Sequence, residues 1–81
     1  MNVFEAYETL VNSGVMKNRE AVRCFEYKTV FAFELKRKGD DRPLFDSVFS
    51  VNKETKKVGV FQPFLISLEE YKSGKEIKNF K

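Results

Sequence analysis

Residues 44–64, LFDSVFSVNKETKKVGVFQPF, contain two β-rich runs on either side of a polar turn. Antiparallel pairing of the two runs brings three apolar pairs together: Val51 with Val58, Phe49 with Val60, and Phe45 with Phe64. One face of this hairpin is almost continuously apolar, and a slip of one residue would turn that face to solvent. The stretch therefore predicts two paired strands, at about 44–51 and 58–64, with Pro63 marking an edge strand or a strand end.

Residues 21–37 form a second β-rich segment, which is too long for one strand. A strand of about 17 residues would extend over roughly 56 Å, far more than a domain of this size accommodates. We therefore expect the segment to turn back at Tyr27–Lys28. The resulting pairs are Glu26 with Thr29, Cys24 with Phe31, and Val22 with Phe33. This hairpin separates the side chains by polarity into an apolar face and a polar face: Val22, Cys24, Phe31, Phe33 and Leu35 on one, and Arg23, Glu34 and Lys36 on the other.

A first helix is indicated near the start of the chain. Asn2 and Glu5 have the spacing of a capping box. Apolar residues then recur at helical spacing: Val3, Phe4, Tyr7, Leu10 and Val11. This pattern predicts a helix over about residues 3–12, and Gly14 is suited to the left-handed conformation that commonly ends a helix.

A second, shorter helix is predicted near the other end. Ser67 to Glu70 form another capping box, and Gly74 ends or kinks the helix that follows. On one straight helix Ile77 would lie out of phase with Leu68, so the two residues could not face the same core. We therefore expect residues 75–81 to be loosely docked or frayed.

Together these elements predict an α+β fold with the order α-β-β-β-β-α. The N-terminal helix packs across the apolar face of a four-stranded antiparallel β-meander, and the short C-terminal helix lies near an edge. A length of 81 residues fits one domain, residues 1–81, around a single core. Nine Phe and three Tyr supply the bulk that a disordered chain lacks.

The charge balance indicates a soluble protein without a strongly basic region. Fifteen Lys and Arg against 12 Asp and Glu give a net charge of +3. The longest uncharged run, residues 58–68, is too short for a membrane span, which needs about 20 apolar residues. The acidic, amphipathic start is unlike a signal peptide, and a single cysteine agrees with a reducing compartment. We therefore expect a cytoplasmic protein with no membrane partner.

Few residues could support catalysis. The chain has no histidine, which excludes Ser-His-Asp and Cys-His arrangements and ordinary zinc sites. Cys24 is either a nucleophile or a small buried hydrophobe, and its apolar neighbours favour the second interpretation. Glu69 and Glu70 form either an acid–base pair or the acidic first turn of a helix, where the dipole favours them. Three aspartates could bind a cation weakly or serve as turn residues: Asp40, Asp41 and Asp46. Their spacing does not match that of a Ca²⁺-binding loop, which favours the turn interpretation. We expect no enzyme activity and no catalytic, metal or cofactor site.

Nucleic-acid binding is the alternative function. Residues 28–35, KTVFAFEL, resemble the aromatic strand of RNA-recognition motifs, on whose exposed rings bases stack. Thr29 stands where that motif has glycine, Glu34 adds a negative charge, and the order of elements differs. Weak binding of single strands would use basic residues and exposed aromatics: Lys36, Arg37 and Lys38 with Phe25 and Tyr27.

The supply of aromatic residues favours a protein partner. Either some rings form an exposed apolar patch of the kind that marks a partner site, or the helices and side-chain stems cover both faces of the sheet. The candidate partner-binding residues are Phe25, Tyr27 and Phe61. We interpret the chain as a small non-enzymatic protein–protein interaction or accessory module with an unidentified protein partner. The chain could also form a homodimer, either through an edge strand or through this apolar patch.

Residues 51–61, VNKETKKVGVF, carry a resemblance to known proteins. Their strand–turn–strand pattern V-x-K-x-T-x-x-V is similar to that of many small bacterial and phage α+β proteins of unknown function. Over about residues 21–64 the chain also resembles some small toxin-immunity proteins, which pair an N-terminal helix with a four-stranded meander. The resemblance implies a non-enzymatic partner binder, encoded by a phage or other mobile element, and transfers no functional residue.

Overall fold

A computed structural model describes residues 1–39, 47–62 and 66–81 of the chain. These residues form two helices and five strands: α1 (Val3–Asn12), β1 (Arg19–Glu26), β2 (Val30–Arg37), β3 (Ser47–Asn52), β4 (Val58–Val60), α2 (Leu68–Lys72) and β5 (Lys75–Ile77). The strands form one antiparallel sheet in the spatial order β4-β3-β2-β1-β5. The predicted α+β class and the meander of β1 to β4 are confirmed. The predicted number of strands was wrong, because a fifth strand pairs with β1.

Helix α1 begins and ends where its capping residues predict. Asn2 Oδ1 accepts a hydrogen bond from the Glu5 N–H at 2.9 Å, and the Asn2 N–H donates to Glu5 Oε1 at 3.4 Å. These two bonds complete the capping box. Gly14 follows the helix with a φ of +89°, in the left-handed region that glycine adopts without steric cost. Ala6 and Leu10 are buried against the sheet.

The hairpin of β3 and β4 has the predicted register. Two of the predicted pairs are present: Val51 with Val58, and Phe49 with Val60. Asn52 opens the turn, where its Oδ1 accepts hydrogen bonds from the N–H groups of Glu54 and Thr55 at 2.8 and 2.9 Å. The predicted pair of Phe45 with Phe64 and the role of Pro63 lie outside the described residues.

The hairpin of β1 and β2 has a different register from the prediction. Its turn lies at Lys28–Thr29, because the Tyr27 N–H donates to the Val30 carbonyl at 2.9 Å. The pairs are therefore Glu26 with Phe31, Cys24 with Phe33, and Arg23 with Glu34. A shift by two residues keeps every side chain on the same face, so the apolar pattern fixes the face but cannot choose between these two registers.

A β-bulge in β1 corrects the predicted position of Val22. The pairing with β2 shifts between Ala21 and Arg23, which leaves Val22 without a cross-strand partner. Val22 is exposed, and Ala21 takes its place in the buried layer opposite Leu35. An extra residue in one strand changes which side chains face the core, and no feature of the local sequence marks it.

The first face of the sheet packs against α1 and forms the larger part of the core. Its fully buried members come from both helix and sheet: Ala6, Leu10, Ala21, Cys24, Phe31, Phe33, Leu35 and Val51. Phe80 joins this cluster with 5% of its surface exposed. Its ring lies 5.8 Å from those of Tyr7 and Phe33, centroid to centroid, in edge-to-face arrangements. The end of the chain is therefore part of the core.

The structure thus differs from the expectation that residues 75–81 are frayed. Lys75 to Ile77 form β5, with Ile77 opposite Cys24, and Phe80 follows in the core. That expectation assumed that Leu68 and Ile77 lie on one straight helix. It does not apply here, because Leu68 lies on α2 and Ile77 on β5. Pairing with β1 satisfies backbone groups of the terminal segment, and burial of Phe80 removes apolar surface from water.

Substitution of Phe80 should destabilise the fold even though it lies next to the last residue. We expect Phe80→Ala to lower the free energy of unfolding by about 3 kcal/mol, because a buried ring and its two aromatic contacts are lost. Phe4→Ala is the matched control, since Phe4 is 55% exposed on α1, and it should cost about 1 kcal/mol or less. Urea denaturation followed by circular dichroism measures both. Equal losses in the two variants would contradict a docked Phe80.

Candidate functional site

The second face of the sheet carries a smaller apolar cluster. Side chains alternate along β2, so the residues that point away from α1 are Val30, Ala32 and Glu34. Phe25 lies opposite Ala32 on β1. Tyr27, Val30 and Ala32 are buried there, and partly buried apolar residues surround them: Phe25, Val48, Phe61 and Ile66. An apolar layer on this face requires a cover from elsewhere in the chain.

The connection from β4 to β5 supplies that cover, because these strands lie at opposite edges of the sheet. Phe61 follows β4 with its N–H donating to the Val48 carbonyl at 2.8 Å, and its ring packs against the apolar cluster of the second face. Helix α2 is capped by Ser67, whose Oγ accepts from the Glu70 N–H at 3.0 Å. Glu70 Oε2 in turn accepts from both the N–H and the hydroxyl of Thr29 at 2.7 Å. These bonds hold α2 against the turn between β1 and β2.

Three aromatic rings stack where α2 meets the sheet. The Tyr27 ring lies nearly parallel to that of Phe61, with centroids 5.5 Å apart, and to that of Tyr71, at 5.9 Å. Gly74 allows this packing, because a Cβ at that position would lie 2.7 Å from Tyr27 Cδ1, well inside van der Waals contact. The stack fixes the orientation of all three rings.

These rings border a cleft of about 290 Å³ on the second face. We call it the aromatic cleft and define it by its lining residues: Phe25, Tyr27, Ala32, Glu34, Val48, Phe61 and Tyr71. The small side chain of Ala32 leaves space between the larger ones. Tyr71 is 44% exposed, whereas Tyr27 is only 8% exposed beneath the neighbouring rings. The cleft is thus open to solvent and has a largely apolar wall of packed rings.

The structure brings together the three residues that the sequence analysis singled out for a partner. Phe25, Tyr27 and Phe61 all line the aromatic cleft, and their role in binding stays a prediction. Tyr27 contributes to the floor rather than to an exposed surface. Sequence reasoning missed Glu34 and Tyr71 as site residues. A lone charge beside the apolar run Val30–Phe33 is the signal that could have identified Glu34.

Glu34 is the one ionisable carboxyl among the described residues that line the cleft, and its surroundings do not neutralise it fully. The Arg23 guanidinium lies 4.0 Å from Glu34 and 3.8 Å from Glu76, and Glu76 also forms a salt bridge of 3.1 Å to Lys78. Burial raises the pKa of Glu34, the Arg23 charge partly opposes this rise, and the Glu76 charge adds to it. The side chain of Glu34 is 14% exposed and that of Arg23 is 55% exposed.

Two of the three basic residues of the nucleic-acid hypothesis lie away from the aromatic cleft. Lys36 and Arg37 are at the end of β2, and Lys38 follows it, with its N–H bonded to the Asn18 carbonyl. Arg37 is five residues along the strand from Ala32, about 16 Å away. Lys36 also forms a salt bridge of 3.5 Å to Glu20. Arg37 and Lys38 therefore lie away from the aromatic cleft, whereas Lys36 is the next residue on the same face of β2 after the lining residue Glu34.

The other candidate residues have structural surroundings. Cys24 is fully buried, and burial, with a smaller effect of the Glu26 charge, raises its pKa to about 12. Glu69 and Glu70 lie in the first turn of α2. Asp40, Asp41 and Asp46 fall outside the described residues, and within the described ranges no cluster of acidic and thiol side chains is arranged to hold a metal ion. Neither of the described helices has the length and apolar content to cross a membrane.

Comparison with protein-family models, with curated proteins and with solved structures found no match to this chain. The resemblance to small phage and toxin-immunity proteins therefore stays an expectation from the sequence. The aromatic cleft has to be interpreted from its own geometry and chemistry.

The raised pKa of Glu34 predicts a pH-dependent cost to stability. The pKa of Glu34 is higher in the folded than in the unfolded state, so ionisation is disfavoured in the folded state. The cost to stability therefore develops as the pH rises from the unfolded pKa to the folded pKa, and it stays at its full size above both. We expect Glu34→Gln to be more stable than the wild type at neutral pH, with a difference that vanishes in acid. Glu8→Gln, an exposed change on α1, controls for loss of one negative charge. Thermal unfolding across pH tests this, and a gain that grows in acid would contradict it.

Cys24 should be unreactive in the folded protein, because the buried thiol with a pKa of about 12 has almost no thiolate at neutral pH. We expect a chromogenic disulfide reagent to label it only in denaturant, or at the rate of global unfolding. The time course of absorbance measures this. Rapid stoichiometric labelling in native buffer would show instead an accessible, activated cysteine.

Proposed function

We propose that this chain is a small, non-enzymatic protein-binding module and that the aromatic cleft is its contact surface for a polypeptide partner. The observation that carries the proposal is an open cleft walled by aromatic rings that are already packed in one arrangement. Aromatic side chains dominate the binding energy of protein interfaces, particularly in pockets that exclude water.

The chemistry of the cleft lining supports a side chain as its occupant. Its volume of about 290 Å³ lies at the lower limit of the roughly 300–1,000 Å³ that pockets for cofactors and small-molecule substrates enclose. Among the described residues, the lining has one ionisable carboxyl and lacks the cluster of polar groups that positions a reacting substrate. A projecting side chain of a folded or extended partner fits this volume and this chemistry.

The rigidity of the wall supports affinity. Tyr27 is held between its ring neighbours and Gly74, and α2 is tied to Thr29 through the Glu70 carboxylate. Groups that are already ordered lose little conformational entropy when a partner binds. A cleft of this kind can therefore act with a small contact area.

The proposal includes a reducing compartment, for which the cytoplasm is our candidate, because Cys24 is a free thiol. It leaves nucleic-acid binding as the less favoured function. Arg37 and Lys38 are separated from the rings of the cleft along β2, Lys36 pairs with Glu20, and the carboxylates of Glu34 and Glu76 face the aromatic side. Negative charge near a base-stacking surface opposes a phosphate backbone.

Selection from a library of random displayed peptides tests the proposed function without knowledge of the natural partner. Peptides enriched on the immobilised chain should bind the Tyr71→Ala variant about tenfold more weakly, because one wall of the cleft is removed. Leu68→Ala is the matched control: Leu68 lies on the same helix, is 67% exposed and does not line the cleft. It should change affinity by less than about twofold.

Two results would contradict the proposal. One is a failure to enrich any peptide over a blank surface, and the other is a set of enriched peptides that bind wild type and Tyr71→Ala equally.

A homodimer would be recognised by light scattering of the free chain, and a dimer disrupted by Tyr71→Ala would identify a second copy as the partner. Retention of a labelled single-stranded oligonucleotide that falls steeply with salt would favour the alternative function.

A further inference from the structure

We infer that the aromatic cleft receives a cationic side chain, preferably arginine, from the partner polypeptide. This inference rests on the proposed function and specifies the chemistry of the bound group. It combines two features of the lining: ring faces, which attract cations, and the carboxylate of Glu34 in the same cleft.

The rings provide the first half of the site. Four of the seven lining residues are aromatic: Phe25, Tyr27, Phe61 and Tyr71. The π-face of an aromatic ring carries partial negative charge, so a cation near it is stabilised, and more strongly where water is excluded. Tyr71 is 44% exposed and lines the cleft, and an accessible ring of this kind suits a planar guanidinium, which stacks on aromatic faces better than a compact ammonium does.

Glu34 provides the second half. Its carboxylate lines a mostly apolar cleft, where burial makes an unneutralised charge costly. Lys36 is the next residue on the same face of β2, and it forms a salt bridge to Glu20. The charge of Glu76 adds to the negative potential at Glu34. An incoming guanidinium can donate two charge-assisted hydrogen bonds to a carboxylate, and these are stronger than the bonds that a neutral side chain of the same shape donates.

Arg23 shows how a cation is accommodated at the rim. Its guanidinium carbon lies 5.9 Å from the Phe25 ring centroid, and its Nη1 lies 4.0 Å from Glu34. The group is more than half exposed and its contacts are long, so it neutralises Glu34 only in part. Arg23 is therefore an internal competitor, and a ligand arginine that enters deeper would take over both contacts.

The overall charge of the protein argues for a local origin of this selectivity. The chain carries a net charge of +3, which repels a cationic ligand at long range. A preference for arginine over a neutral isostere therefore cannot come from general attraction. It has to arise from the few groups that line the cleft.

Capped tripeptides that differ only in the central side chain test the inference. The probes are Ala-Arg-Ala, Ala-Lys-Ala, Ala-citrulline-Ala and Ala-Leu-Ala, titrated into isotopically labelled protein and followed through backbone amides around the cleft, such as those of Ala32 and Val48. Mildly alkaline buffer keeps Glu34 ionised. Because citrulline has the shape of arginine without its charge, we expect arginine to bind about tenfold more tightly, with lysine in between.

Two variants should move the arginine affinity in opposite directions. Glu34→Gln should reduce the preference for arginine over citrulline to less than about twofold, whereas Arg23→Ala should strengthen arginine binding about threefold by removing the competitor. Glu69→Gln is the charge-matched control, since Glu69 is exposed on α2 and does not line the cleft. Amide spectra of each variant report whether it is folded, and the Arg23 variant tests the inference independently of the Glu34 variant.

The outcomes separate this inference from the proposed function. Equal binding of arginine and citrulline at the cleft, or an unchanged preference in Glu34→Gln, would overturn the cationic ligand. If the leucine tripeptide or the selected peptides still bound there and were weakened by Tyr71→Ala, the protein-binding function would stand. If neither the tripeptides nor any selected peptide perturbed the cleft, both proposals would fail.

Discussion

The structure depends on the burial of β2 on both of its faces. Phe31, Phe33 and Leu35 point toward α1, and the alternate residues Val30 and Ala32 are buried on the opposite side. A strand of this kind needs apolar cover above and below, because side chains alternate with a period of two. Helix α1 covers the first face, and the segment from β4 to β5 has to cross the second. The position of β5 and the docking of the chain end follow from this crossing.

The cover on the second face is smaller than the one on the first. Helix α2 has five residues and no buried member, so aromatic rings rather than a helix face provide the contact. Tyr27 fills the space beneath them, and Gly74 permits its close approach. Beside this stack the small side chain of Ala32 is flanked by Phe25, Phe61 and Tyr71, and the cleft opens there. The candidate site is thus a consequence of an incomplete second layer.

Features that depend on local chemistry could be predicted from the sequence. The caps at Asn2 and Ser67 and the register of β3 with β4 are of this kind, because neighbouring residues determine them. The register of β1 with β2 could not be predicted, since two alternatives bury the same side chains. The fifth strand depends on a partner about fifty residues away along the chain. In the candidate site, Phe25, Tyr27 and Phe61 were predicted. Tyr71 gains its place only through the crossing of the second face, whereas Glu34 was placed on the polar face of the β1–β2 hairpin but not recognised as a site residue.

Glu34 is the residue at which the sheet departs from the pattern that would stabilise it best. A β-branched or aromatic residue on a central strand, facing an apolar layer, would gain from packing where a carboxylate loses hydration. Arg23, which is mostly exposed and shared with Glu76, offsets only part of that loss. Departures of this type concentrate at functional sites, where a group is retained for what it contacts in a partner. A carboxylate placed among aromatic rings has its strongest complement in a cation, which would neutralise the charge and cover the rings at once.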